Sequence, residues 1–91
     1  MKKNWHDEAW DQYLDWQKED KRYLKKINSI IKDIDRNGYN CSSHLEPLKG
    51  NLAGYYSVKI DDKNRIVFRI MNKGKEEEME ILQCGNHYGD K

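Results

Sequence analysis

The fold is decided by the stretch KRYLKKINSIIKDIDRNG, residues 21–38. Its apolar residues recur at the three- and four-residue spacings of one helix face: Tyr23, Leu24, Ile27, Ile30, Ile31 and Ile34. Asn37 and Gly38 follow, and both residue types commonly end a helix. The sequence therefore predicts a helix whose apolar stripe must be covered by another layer of the protein.

The covering layer is predicted by the second half of the chain, where helical spacing gives way to alternation. Residues 55–60, 65–71 and 79–83 are expected to form three antiparallel strands in meander order. Alternation assigns one sheet face to the core: Tyr56, Val58, Ile60, Ile66, Phe68 and Ile70. The opposite face is half polar and locally cationic: Tyr55, Ser57, Lys59, Arg65, Val67 and Arg69.

The remaining segments complete the predicted topology. A short first strand at Lys2–His6 precedes a helix that Asp7 caps and that ends near Asp20, and residues 39–54 form a long loop. This first helix is expected to pack through four residues: Trp10, Tyr13, Leu14 and Gln17. If the last strand keeps its phase, Gln83 and His87 join the polar face, whereas Leu82 and Cys84 join the core.

The chain length and the net charge limit the domain organisation and the partners that can be expected. The 91 residues (11.0 kDa) predict a single domain, 1–91, and the net charge of +1 does not by itself indicate a polyanionic partner. The best local basic patch is the polar face of the second helix, and it is either an RNA contact or a solvated face: Lys21, Arg22, Lys25, Lys26 and Lys32.

The apolar segments and the cysteines indicate the cellular compartment. The chain has neither a signal-type apolar segment at its N-terminus nor an apolar run long enough to cross a membrane. Its two cysteines, Cys41 and Cys84, fit a reducing compartment. We therefore expect a cytoplasmic protein without a membrane partner.

Three residue types in the chain suit RNA cleavage without a metal. That reaction needs a base for the ribose 2′-hydroxyl, an acid for the leaving 5′-oxygen and a cation for the charged phosphorane. Glu46 in the loop, Arg65 on the open sheet face and His87 near the C-terminus have the required chemistry. Their types alone are weak evidence, because charged surface residues are common in this sequence.

Several separated motifs resemble one known family. They are WDQYLDWQ (10–17), KKIN (25–28), IKDI (31–34), EPLK (46–49), YSVKI (56–60), NRIVF (64–68) and HY (87–88). Together, in order and spacing, they are similar to the Txe/YoeB toxins of the RelE superfamily. The resemblance implies an α+β fold, with two N-terminal helices packed on an antiparallel sheet, known as the RelE-like microbial RNase fold.

The resemblance also implies a function and roles for residues. The expected activity is that of a ribosome-dependent endoribonuclease, which cuts mRNA in the ribosomal A site with no metal and no cofactor. Glu46 corresponds to the general base, His87 to the general acid and Arg65 to the phosphate-stabilising cation. Substrate contacts are expected from three further residues: Lys49, Lys59 and Tyr88.

The implied partners are the ribosome with its mRNA and a cognate antitoxin of the YefM/Axe type. The disordered tail of that antitoxin would fold over the site. A homodimer is left open.

The chain departs from the family pattern in three places. Tyr56-Ser57-Val58-Lys59-Ile60 stands where the family commonly has Trp-Ser-Arg-Arg-Ile, so a bidentate phosphate contact becomes a point charge at Lys59. Leu45 replaces a frequent Pro before Glu46, and residues 89–91 extend past the usual terminal Tyr. None of these changes removes a proposed catalytic group.

Two rival readings remain open from the sequence. Cys41, His44, Cys84 and His87 form two Cys-x2-His units that could hold a structural zinc ion in a binding module. A non-catalytic protein of the RelE/ParE fold, like the DNA gyrase inhibitors of that superfamily, would not need Glu46 and His87. His6 and His44 are otherwise expected to be ordinary surface residues.

Overall fold

The computed structural model describes residues 1–86, and His87, Tyr88 and the 89–91 tail lie outside this range. Two helices form one layer: α1 (Asp7–Glu19) and α2 (Lys21–Asn37). Five strands form the other: β1 (Lys2–Trp5), β2 (Glu46–Pro47), β3 (Tyr56–Lys59), β4 (Arg65–Lys73) and β5 (Glu76–Gly85). The predicted α+β class is confirmed. None of the helices within residues 1–86 is long and apolar enough to cross a membrane.

The strands form a single sheet in the order β1-β5-β4-β3-β2. Strands β3, β4 and β5 pair antiparallel in meander order, as predicted. β2, a two-residue strand in the segment predicted as a long loop, adds a further antiparallel pairing at the edge. β1 instead pairs with β5 in parallel, so the sheet is mixed. A parallel neighbour requires a long connection, and the intervening helices and strands supply it.

The core lies between α2 and one face of the sheet. The isoleucine stripe is buried as predicted: Ile27, Ile30, Ile31 and Ile34. It packs in one cluster with the alternating apolar residues of the strands, which include Val58, Ile60, Ile66, Phe68, Met79 and Ile81. α2 ends where predicted, at Gly38, whose φ of 58° is readily adopted by glycine.

The packing face of α1 differs from the predicted one. The face turned to the protein runs through Ala9, Gln12, Tyr13 and Trp16, whereas Trp10 and Leu14 are 43% and 37% exposed. Gln17 is exposed as well, and His6 rather than Asp7 is the N-cap. The prediction is confirmed for Tyr13 and wrong for the other three residues, because it left a polar residue, Gln12, out of the inner stripe.

Gln12 and Trp16 hold the end of β5 against α1. The Gln12 Oε1 atom accepts from the Cys84 backbone N–H at 2.8 Å, and the Trp16 indole Nε1–H donates to the Cys84 carbonyl at 2.9 Å. Gln12 Nε2 also donates to the Asn86 carbonyl at 3.1 Å. The chain just before His87 is therefore fixed by side-chain hydrogen bonds from α1.

A β-bulge at Leu82 resets the phase of β5. Val67 pairs with Gln83, but the next residue, Phe68, pairs with Ile81. Cys84 is in the core and Gln83 lies opposite Val67, as predicted. Leu82 is buried but stays outside the main core cluster, contrary to prediction, because it is the extra residue of the bulge.

Asp33 on α2 anchors the loop that leads to β2. Its Oδ2 atom accepts hydrogen bonds from the backbone N–H and the hydroxyl of both Ser42 and Ser43, at 2.9–3.1 Å. The Asn37 amide donates to Oδ1 at 2.9 Å. These bonds lower the pKa of Asp33 well below its ordinary value, with the one from Asn37 contributing most.

We expect Ile34→Ala to lower the free energy of unfolding by about 2–5 kcal/mol, because it removes a fully buried side chain and leaves a cavity. Leu14→Ala is the control, since that side chain is 37% exposed and should cost far less. Urea denaturation measures both. Equal losses would show that α2 does not form the centre of the core.

We expect Asp33→Asn to lower the melting temperature by several degrees at pH 7. An uncharged amide has one accepting oxygen, so it can keep either the four bonds made to Oδ2 or the bond from Asn37 to Oδ1, but not both. The lowered pKa of Asp33 stabilises the fold above the pKa of the unfolded chain, and this stabilisation is lost as the pH falls. The variant should therefore lose less stability on acidification. Asp11→Asn, on the exposed side of α1, is the control. If Asp33→Asn lost as much stability as the wild type when the pH falls, the role of Asp33 would be contradicted.

Candidate active site

The sheet register brings the predicted cations together on the face that the helices leave open. Lys59 pairs with Arg65 across β3 and β4, and Arg65 pairs with Gly85 on β5. Directly paired side chains share a face, with Cβ atoms about 4.5–5.5 Å apart. Both cations are exposed, and neither has an ion-pair partner among the residues described.

Glu46 lies one step along the same face. It pairs with Ser57, two residues before Lys59 on β3. Diagonal neighbours of this kind are separated by roughly 7–8 Å, within reach of long side chains. The two-residue strand β2 thus places Glu46, the predicted base, beside the Lys59–Arg65 pair.

Arg69, which the sequence placed with these cations, is occupied elsewhere. Its Nε atom donates to Glu80 Oε1 at 2.6 Å, and its guanidinium stacks on the Tyr55 ring at 4.8 Å. His6 Nε2 lies 2.5 Å from the other carboxylate oxygen, so His6 is not an ordinary surface residue. Burial raises the pKa of Glu80, but the hydrogen bonds from His6, Arg69 and Tyr55 outweigh it and lower the pKa. This network leaves Lys59 and Arg65 as the available cations.

A cavity of about 690 Å³, called here the open-face cavity, surrounds Arg65. Besides that guanidinium, its walls include Val67 and Gln83 of the sheet and two apolar loop residues, Leu48 and Leu52. Asp62 and Lys63 also line it, so two cations and one carboxylate meet in this concave surface. The remaining positive charge suits an anionic ligand.

A second cavity of about 480 Å³, called here the edge cavity, lies between α2, the loop and β3. Glu46 and Lys59 line it, together with Lys26 of α2 and His44 of the loop. The predicted site is therefore divided: Arg65 lines the open-face cavity, and Glu46 lines the edge cavity. The two cavities are neighbours because Lys59, which lines the edge cavity, pairs with Arg65 across β3 and β4.

The structure places the other predicted site residues as follows. Lys49 is exposed, two residues beyond β2, where it precedes the short helical turn Gly50–Leu52. His87 and Tyr88 lie outside the described residues. The last described residue before them, Asn86, lines the open-face cavity.

The two cysteines of the hypothetical zinc site lie in different environments. Cys84 is fully buried in the core, where burial raises the pKa of its thiol to about 12. Cys41 is half-buried, and burial raises its pKa too. Within residues 1–86, no group of three or more His, Cys, Asp or Glu side chains is arranged to hold a metal ion.

Sequence reasoning missed three sets of residues around the site. The Leu48 and Leu52 walls have no periodic signal, since they lie in an irregular loop. Gln12 and Trp16 act through hydrogen bonds that spacing does not reveal. Lys26 was placed on the basic face, but its position four residues before Ile30 puts it at the border of the buried stripe, and this spacing was the available signal.

Comparison with known proteins gives concordant results. A family model described as the YoeB-like toxin of bacterial type II toxin–antitoxin systems matches residues 5–88. Toxin YoeB of Escherichia coli O6:H1 is 42% identical over 88 residues, which cover 97% of this chain and 100% of that protein.

Solved structures agree with the sequence comparison. The YoeB/ParE toxin from Agrobacterium tumefaciens superposes with a TM-score of 0.87 at 40% identity, covering 97% of this chain and 100% of that one. Two structures from Staphylococcus aureus, a heterotetrameric YoeB-YefM toxin–antitoxin complex and a YoeB dimer, give TM-scores of 0.82 and 0.81. Each is 35% identical and covers 97% of this chain and 98% of its own. With its α+β fold, this chain belongs to the YoeB-like toxins of bacterial type II toxin–antitoxin systems.

Proposed function

We propose that the protein is a ribosome-dependent endoribonuclease that cuts mRNA in the ribosomal A site by acid–base chemistry. The observation that carries this proposal is the register of the open sheet face. There, Lys59 lies opposite Arg65, and Glu46 lies one pair further along, at the edge of the sheet. A carboxylate beside two cations without ion-pair partners in residues 1–86 suits attack on a phosphodiester.

In the proposed reaction, the Glu46 carboxylate takes the proton of a ribose 2′-hydroxyl, and the 2′-oxygen attacks the adjacent phosphorus. Arg65 stabilises the charge that develops on the phosphorane. His87 donates a proton to the 5′-oxygen as the P–O5′ bond breaks. The products are a 2′,3′-cyclic phosphate, or a 3′-phosphate after hydrolysis, and a 5′-hydroxyl.

The remaining candidates have supporting roles. Lys59 and Lys49 would bind phosphates, and Lys59 does so as a point charge rather than a guanidinium fork. Tyr88, next to His87 in the sequence, would stack on or position a base. The hydrogen bonds from Gln12 and Trp16 support this arrangement because they fix the chain up to Asn86.

We also propose a YefM-type antitoxin as inhibitor and a homodimer as an accessible state. The solved structures of similar toxins from Staphylococcus aureus include a YoeB-YefM complex and a YoeB dimer. Because the substrate is ribosomal mRNA, the site of action would be the cytoplasm.

We expect Glu46→Gln and His87→Gln each to lower the single-turnover rate of mRNA cleavage on ribosomes by about 10²- to 10⁴-fold, since each removes a positioned base or acid. Arg65→Ala should have a similar effect. Glu76→Gln and Arg36→Ala are matched controls, because both residues are exposed and neither lines the open-face cavity or the edge cavity. Wild-type rates in both carboxamide variants would overturn the assignment.

We expect the same mRNA to be cleaved at least about 10²-fold more slowly when it is free in solution than when it is bound in the ribosomal A site. Both cavities are open, so the protein alone does not hold a flexible strand in line for attack, and misplacement by about 1 Å can cost this much. Single-turnover rates with equal mRNA concentrations measure the ratio. Equal rates would contradict ribosome dependence but not nuclease activity.

A further inference from the structure

The edge cavity is lined by two side chains that the proposed chemistry does not use. They are Lys26 and His44, and Lys59 and Glu46 line the same cavity. Two ammonium groups and an imidazole thus share one cavity with one carboxylate. Ile30 and Val58 contribute an apolar floor. This combination of positive charge with an apolar surface suits a nucleotide, which presents a phosphate together with a sugar or base.

Lys26 is held in place before any ligand arrives. Its ammonium donates to the Ile60 carbonyl at 2.6 Å, at the end of β3. A lysine ammonium has three donors, and within residues 1–86 this bond uses one of them, which leaves two for a ligand. A side chain that is already ordered loses less conformational entropy on binding than a free surface lysine does.

The position of Glu46 connects this cavity with the reaction centre. A phosphodiester attacked beside Glu46 and Arg65 has a neighbouring phosphate on each side along the RNA strand. The edge cavity is lined by Glu46 and also by Lys26 of α2, so a neighbouring phosphate that enters it meets a cation there. Arg65, which pairs with Lys59, lines the open-face cavity instead.

We propose that the edge cavity is a binding subsite for the phosphate next to the scissile bond, with Lys26 as its positioned cation and His44 as a further polar group in its lining. This inference rests on the proposed nuclease function and extends it to the path of the RNA strand. It also assigns a specific role to one residue of the basic face of α2.

The test removes each charge of the proposed contact in turn. Single-turnover cleavage on ribosomes is measured with an mRNA that carries a neutral methylphosphonate in place of one phosphate flanking the scissile bond, on either side. We expect Lys26→Gln to lower the apparent affinity for the normal mRNA about 3- to 10-fold, and the methylphosphonate at one position to have the same effect on the wild type. The two changes together should cost no more than either alone.

Two variants control for structure and for general charge. Lys26→Arg keeps the charge and should restore the sensitivity to the methylphosphonate. Lys18→Gln removes an exposed charge of α1, outside the basic face of α2 and both cavities, and should behave like the wild type. If Lys26 only supported β3 through Ile60, its loss would add to that of the methylphosphonate, and this additivity would overturn the subsite.

The remaining outcomes are also decisive. If Lys26→Gln weakened binding of an acidic antitoxin segment but left the RNA kinetics unchanged, the cavity would be a protein-binding site, and the proposal would be wrong. If the wild type cleaved no RNA, the nuclease function would fail. Binding of the same short RNAs, measured by fluorescence anisotropy, would then decide the subsite: a methylphosphonate effect that requires Lys26 would support it, and no effect would overturn it.

Discussion

The structure depends on the burial of the α2 isoleucine stripe against one face of the sheet. Ile27 and Ile34 are fully buried there, against residues that alternate along β3 and β4. Because successive strand residues point to opposite faces, covering one face determines which side chains remain on the other. Lys59 and Arg65 are on the open face for this reason, so the same pattern that forms the core also presents the candidate site.

The helix α2 and the strands β3 and β4 could be predicted because their apolar periods are strong and uninterrupted. Three features could not be predicted. The inner face of α1 includes Gln12, a polar residue that an apolar pattern does not mark. Its side chain is held there by hydrogen bonds to Cys84 and Asn86. The parallel pairing of β1 depends on the whole topology, and the bulge at Leu82 depends on how β4 and β5 meet.

The candidate site was predicted in part. Alternation placed Lys59 and Arg65 on one face, and the register confirms that they are directly paired. Glu46 came from the resemblance, since no periodic pattern marks a two-residue strand. Arg69 was assigned to the same cationic surface, but Glu80 and Tyr55 engage it. That contact depends on Glu80 lying opposite Arg69, a register that the bulge alters and that alternation alone cannot give.

The central proposal is that side chains, and not a metal-activated water, cleave the RNA. The most direct measurement is the chemical identity of the ends produced when the wild-type protein cuts a ribosome-bound mRNA. Attack by the 2′-hydroxyl predicts a 2′,3′-cyclic phosphate or 3′-phosphate on one fragment and a 5′-hydroxyl on the other. A 5′-phosphate with a free 3′-hydroxyl would contradict it, because water and not the ribose would then be the nucleophile.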